Sequence, residues 1–176
     1  MNELIAAVRR AVDTENWYAA LFLTLALPDI CSWMESPQKG TRERYEDWFN
    51  RYMLATYSSD IGADRRLHVF LSGADCYALR CCLLHEGGED ISHQRAREAL
   101  KRFQFTAPDP RVMAHRNQVG DMLQLQVDIF CEEMCAGVER WAKDKDVDSA
   151  PEVKARLATL LRIYPLGASG WLIRFT

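Results

Sequence analysis

From Trp17 to Leu27 the chain reads Trp-Tyr-Ala-Ala-Leu-Phe-Leu-Thr-Leu-Ala-Leu, apolar on every face that a helix turns outward. Such a helix is stable in water only when other elements surround it. Pro28 should kink or shift it, yet Ile30, Cys31, Trp33 and Met34 carry the apolar pattern onward. A buried central helix demands amphipathic neighbours, and the sequence supplies them. Leu4, Ile5, Val8 and Val12 give an apolar stripe over 2–14. Tyr45, Trp48, Phe49, Tyr52 and Met53 do the same over 41–57, with Thr41 as a candidate cap. Ile129, Phe130, Met134, Val138 and Trp141 do so over 128–143. Further helices are expected over 91–101, capped by Ser92, and over 152–164 after Pro151. The tail 166–176, with Trp171 and Phe175, reads as irregular and tucked down.

The helical period is broken where Phe103-Gln104-Phe105-Thr106 and Leu123-Gln124-Leu125-Gln126-Val127 alternate apolar and polar. The simplest expectation is an antiparallel pair with a long connection, lying on the helices because a lone hairpin is marginal. Residues 58–66 read as loop, and 67–71 as a turn or helix end. The fold class expected is therefore mainly α, a helical bundle with a small two-stranded β-hairpin insertion, one domain over 1–176.

Composition narrows the functional classes. Hydrophobic residues make up 48% and charged residues 27% of the 176, enough for a globular core. The net charge of −3 gives no overall basic excess for binding a phosphate backbone. Arg95, Arg97, Lys101 and Arg102 cluster locally, and a solvated helix face explains them. The N-terminus lacks a signal-peptide pattern and the apolar run falls short of the ~20 residues of a bilayer span. A soluble, cytoplasmic protein with no membrane partner is expected. Cys31, Cys76, Cys81, Cys82, Cys131 and Cys135 form no paired metal knuckle and read as reduced core residues. His68, His93 and His115 have no ligands at metal spacing, and Asp128, Glu132 and Glu133 read as an ordinary polar helix face. Neither a metal nor another cofactor is expected.

Ser72-Gly73-Ala74-Asp75 has the form of a capping box, and Gly87-Gly88 supplies a helix terminator, so 73–86 should be a helix. Being apolar nearly all round, it is expected in the middle of the fold. Within it lie Arg80 and, at its end, His85. A buried guanidinium needs a partner or a path to water. An imidazole exchanges protons near neutrality, and a guanidinium forks onto phosphate oxygens and stabilises charge developing there. The pair therefore suits acid–base work on a phosphodiester. On an ideal helix the two point about 140° apart, so convergence is expected only through a distorted last turn or a second copy alongside.

The segment from Ser72 to Gly87 resembles the signature helix of the HEPN superfamily, the higher eukaryotes and prokaryotes nucleotide-binding domains. These small all-α bundles, often dimers, carry an Arg and, four to six residues later, a His. In many members the pair makes a metal-independent endoribonuclease of toxin–antitoxin and phage-defence systems. The resemblance implies that Arg80 binds and polarises the phosphate, that His85 is the acid–base, and that the protein is a homodimer acting on RNA with an antitoxin-like partner. Cys81 departs from the polar residue that often follows the Arg. A second reading keeps the fold but makes the motif structural: Asp29, oddly placed in the apolar second helix, pairs with Arg80, His85 caps its helix, and the protein is a non-catalytic binding or scaffold module.

Overall fold

The computed structural model describes residues 1–146, 150–161 and 163. It is mainly α, with helices α1 (Asn2–Asp13), α2 (Trp17–Glu35), α3 (Thr41–Tyr52), α4 (Gly73–Glu86), α5 (Val127–Asp144) and α6 (Pro151–Leu157). Strands β1 (Ser58–Ile61) and β2 (Arg66–Val69) form one small sheet; β3 (Arg102–Thr106), β4 (Asn117–Val119) and β5 (Met122–Gln126) form another.

α2 is the hub, packing on α1, α3 and α5 and touching α4 and α6. Asn16 starts it by accepting a bond from the Ala19 N–H, and Arg156 of α6 donates to the Met34 carbonyl at its other end (2.7 Å). Pro28 sits inside an unbroken helix. Around α2 the core is aromatic: Tyr45, Trp48, Phe49, Tyr57, Phe103, Phe130 and Trp141 are fully buried. Of the other tryptophans, Trp33 is instead exposed. By length and composition α2 is the one helix among the described residues long and apolar enough to cross a membrane, yet half of its apolar window is buried by its neighbours.

Several expectations are corrected. The sheet at 102–126 has three strands in the order β3-β5-β4, and β3 runs parallel to β5. Alternation fixes which side chains share a face and says nothing of strand direction. Here the antiparallel edge of β5 is taken by β4, joined through a tight turn at Gly120, whose φ of +61° suits glycine. The β1–β2 hairpin replaces the loop expected at 58–66 and the turn or helix end expected at 67–71. Both its faces are largely exposed, so it carries no apolar alternation to read. Gly40, not Thr41, precedes α3 as its cap residue, and that helix ends at Tyr52.

Residues 91–101 form a closed irregular segment where a helix was expected. The Ile91 N–H bonds the Lys101 carbonyl (2.8 Å), and the N–H groups of Glu98, Ala99 and Leu100 all donate to the buried Asp75 carboxylate. Those donors are thereby unavailable to helical i−4 carbonyls. The basic cluster thus lies on a loop and strand edge, where Lys101 pairs with Asp121 and Arg102 with Asp90. α6 begins at Pro151 but ends at Leu157, short of the helix expected over 152–164, with residues 158–160 leaving it in a turn; Tyr164 and the tail 166–176 lie outside the described residues.

α4 is not central. It buries Cys76, Ala78, Leu79 and Cys82 but leaves Tyr77, Arg80, Cys81, Leu83 and Leu84 half-buried. Its first residue, Gly73, is pressed against α3: a Cβ there would lie 2.8 Å from the Glu46 carbonyl oxygen and 2.9 Å from Glu46 Cα. Backbone cannot swing aside as a side chain can. Gly73→Ala is expected to cost about 1–3 kcal/mol, read as a lower urea midpoint at unchanged slope.

Candidate functional site

Asp29 stands on α2, four residues before the exposed Trp33, and reaches the middle of α4. Its Oδ2 lies 2.6 Å from Arg80 Nε, with the two side chains 15% and 20% exposed. Nε and both carboxylate oxygens are withdrawn from solvent, and the contact is a close ion pair without an in-line N–H···O bond. Burial raises the Asp29 carboxyl above its ordinary range, and the Arg80 charge offsets this only in part. For Arg80 burial opposes the charge, but Asp29 and Cys81 together outweigh it, so the guanidinium is held firmly protonated.

The far side of that guanidinium remains available. Arg80 Nη1 lies 3.3 Å from His85 Nε2 and 3.9 Å from Cys81 Sγ. His85 is exposed, in the last turn of α4 before Gly87 caps the helix in the left-handed conformation. The two residues therefore meet within one chain and on an unbroken helix. The expected 140° divergence describes the directions in which side chains leave the axis; an arginine is long enough to curve back across one turn once Asp29 fixes its Nε edge. A guanidinium has no acceptor, so in this contact Nη1–H donates and Nε2 presents its lone pair. The resulting constellation is an anchored cation beside an exposed basic nitrogen. Two surface hollows, under the β1–β2 turn and along α1, include none of Asp29, Arg80 and His85.

Around this site α2 presents aromatic surface. Tyr18 is 79% exposed, Phe22 37% and Trp33 36%, and their spacing puts them with Asp29 within about 60° on one helix face.

The histidines judged to lack ligand-type neighbours do not all lack them. His115 is buried, accepting from the Gln126 N–H through Nδ1 (3.3 Å) and contacting Glu133 Oε2 through Nε2 (3.0 Å). Despite the burial that raises it, Glu133 is held below the usual carboxylate range by His115 and Tyr57. His93 Nε2 lies 2.9 Å from Glu86 Oε2, and Cys82 Sγ stands 3.9 Å from the same oxygen. The i, i+4 spacing of Cys82 and Glu86, with a histidine just past a Gly-Gly terminator, was the legible signal. His68 contacts the Gln118 amide at 2.8 Å. The α5 carboxylates are engaged separately: Asp128 by Gln126, Glu132 by Arg9, Glu133 by His115.

Comparison with protein-family models, with curated proteins and with solved structures finds no match.

Proposed function

We propose that this is a HEPN-like, cytoplasmic protein whose Arg80 and His85 cleave RNA without a metal ion. The observation that carries the reading is the 3.3 Å approach of Arg80 Nη1 to the exposed His85 Nε2, with the opposite edge of the guanidinium pinned by Asp29. In the reaction His85 takes the proton of a ribose 2′-hydroxyl, whose oxygen attacks the adjacent phosphorus. Arg80 stabilises the charge that builds on the non-bridging oxygens. The bond to the 5′ oxygen breaks, that oxygen takes the proton now carried by the His85 imidazolium, and a 2′,3′-cyclic phosphate remains. DNA, lacking the nucleophile, is not a substrate.

A homodimer belongs to this reading. The aromatic stripe Tyr18–Phe22–Trp33 and the half-open face of α4 flank one another across the Asp29–Arg80 pair, which favours a second copy closing over the site. An antitoxin-like partner would cover the same surface.

The ion pair itself favours a second reading, in which Arg80 and Asp29 clamp α4 to α2 and the protein is a non-catalytic binding or scaffold module. One assay separates the two. Purified protein, His85→Ala and Arg80→Ala are incubated with structured and unstructured RNA in EDTA. Cleavage by the unaltered protein that both substitutions abolish supports the nuclease; cleavage absent throughout, or surviving both, removes it.

A further inference from the structure

We infer that the end of α4 and the loop after it form a zinc-type metal site, with Cys82 Sγ, Glu86 Oε2 and His93 Nε2 as its ligands. The three ligand atoms lie within 4.8 Å of one another, and the separations of Glu86 Oε2 from His93 Nε2 and from Cys82 Sγ, 2.9 and 3.9 Å, are close to those that ligands take around one tetrahedral ion. A thiol, an imidazole and a carboxylate together suit a borderline-soft divalent ion and not magnesium or calcium.

The surrounding structure sets these groups in place. Cys82 and Glu86 stand one turn apart on one face of α4. Gly87, at φ +69°, turns the chain back, and a Cβ at Gly88 would come 3.0 Å from the sulfur, so glycine keeps the approach to Sγ open. The Ser92 N–H bonds Asp90 Oδ1 (2.8 Å), a local turn that delivers His93. The loop is held from its other end by Asp75. Gln94 Nε2 stands 3.1 Å from both Glu86 Oε1 and His93 Nε2, so its amide turns away from the imidazole nitrogen when that nitrogen takes the ion. Glu86 and His93 are exposed, leaving the fourth position to water.

The Cys82 thiol donates to the Asp90 carbonyl at 3.3 Å. Binding replaces that proton with the metal and releases it to solvent, so affinity rises with pH. The ion ties the loop to the last turn of α4, beside His85. The site shares no ligand with the Arg80–His85 pair, so either assignment stands without the other.

The test is titration of the purified, metal-free full chain with Zn²⁺ by calorimetry and with Co²⁺ by absorption. One equivalent is expected to bind, and Co²⁺ should show the near-ultraviolet charge-transfer band of a thiolate ligand. His93→Ala and Glu86→Gln alter exposed side chains and should each weaken binding by at least about tenfold. Cys82→Ser should remove the band, while Cys81→Ser, the neighbouring thiol as control, should keep it. Absence of binding to the unaltered protein overturns the site. So does binding that survives both His93→Ala and Glu86→Gln, which would assign the ion elsewhere.

Discussion

Replacing His85 with alanine is expected to lower RNA cleavage by a factor on the order of 10² to 10⁴ while leaving the fold intact, because a positioned acid–base group contributes that much to a proton-transfer step. His85 is exposed, and among the described residues its side chain hydrogen-bonds only the Arg80 guanidinium, so stability should change by less than about 0.5 kcal/mol. Arg80→Ala behaves differently. It removes the group that answers charge on the phosphate, worth a factor on the order of 10² to 10³. It also strands the Asp29 carboxylate, whose oxygens are withdrawn from solvent. Breaking a well-buried pair costs about 3–5 kcal/mol; with each side chain here 15–20% exposed, about 2–3 is expected.

Asp29 separates catalysis from clamping. Asp29→Ala should cost a similar amount of stability, yet leave the phosphate-facing edge of Arg80 and all of His85 chemically unchanged. In a nuclease it is a positioning residue: activity drops through misplacement of the guanidinium and is partly restored by Asp29→Asn, which keeps an oxygen facing Nε. Thermal melts and cleavage rates on the same four proteins, with end-group analysis for 2′,3′-cyclic phosphate, check the set. Loss of cleavage only in step with loss of folded protein would assign the motif to the clamp.

What the sequence allowed to be read follows the strength of the local signal. α2 is legible because a run apolar all round has one stable environment, and α4 because its cap and its left-handed Gly87 mark both ends. The strand pairing was half legible: Phe103, Leu123 and Leu125 are buried on one face as the alternation requires, but direction and the third strand depend on backbone pairing that side-chain pattern does not encode. The segment 91–101 misled for a tertiary reason. Its residues suit a helix, but a carboxylate from α4 captures its N–H groups. The same holds at the site. Asp29 stood out as a charge in an apolar helix, and it faces Arg80. The convergence of Arg80 with His85 was invisible, because helical angles locate the base of a side chain and not the tip of a long one.

Asp75 is where the largest loss of stability is expected. Read in sequence as the second half of a capping box, it should reach back to the N–H of Ser72. The structure gives it different work: Ser72 Oγ accepts from the Asp75 N–H (3.2 Å), while the Asp75 carboxylate, only 2% exposed, receives Glu98 N–H at 2.7 Å, Ala99 at 3.2 Å and Leu100 at 3.3 Å. The negative charge also sits in the first turn of α4, where the helix dipole favours it. Asp75→Ala removes the acceptor and leaves the three N–H groups without it. Charged hydrogen bonds contribute about 1.5–3 kcal/mol each, but these share two oxygens, so a total of about 3–5 kcal/mol is expected. Asp75→Asn keeps the shape and one carbonyl oxygen and should cost roughly half as much. Urea unfolding measures the totals, and hydrogen exchange at residues 98–100 locates them: protection there should fall in both variants before it falls in α2. If the alanine variant melts with the unaltered protein and those amides stay protected, the loop is held by its own contacts and the carboxylate is dispensable.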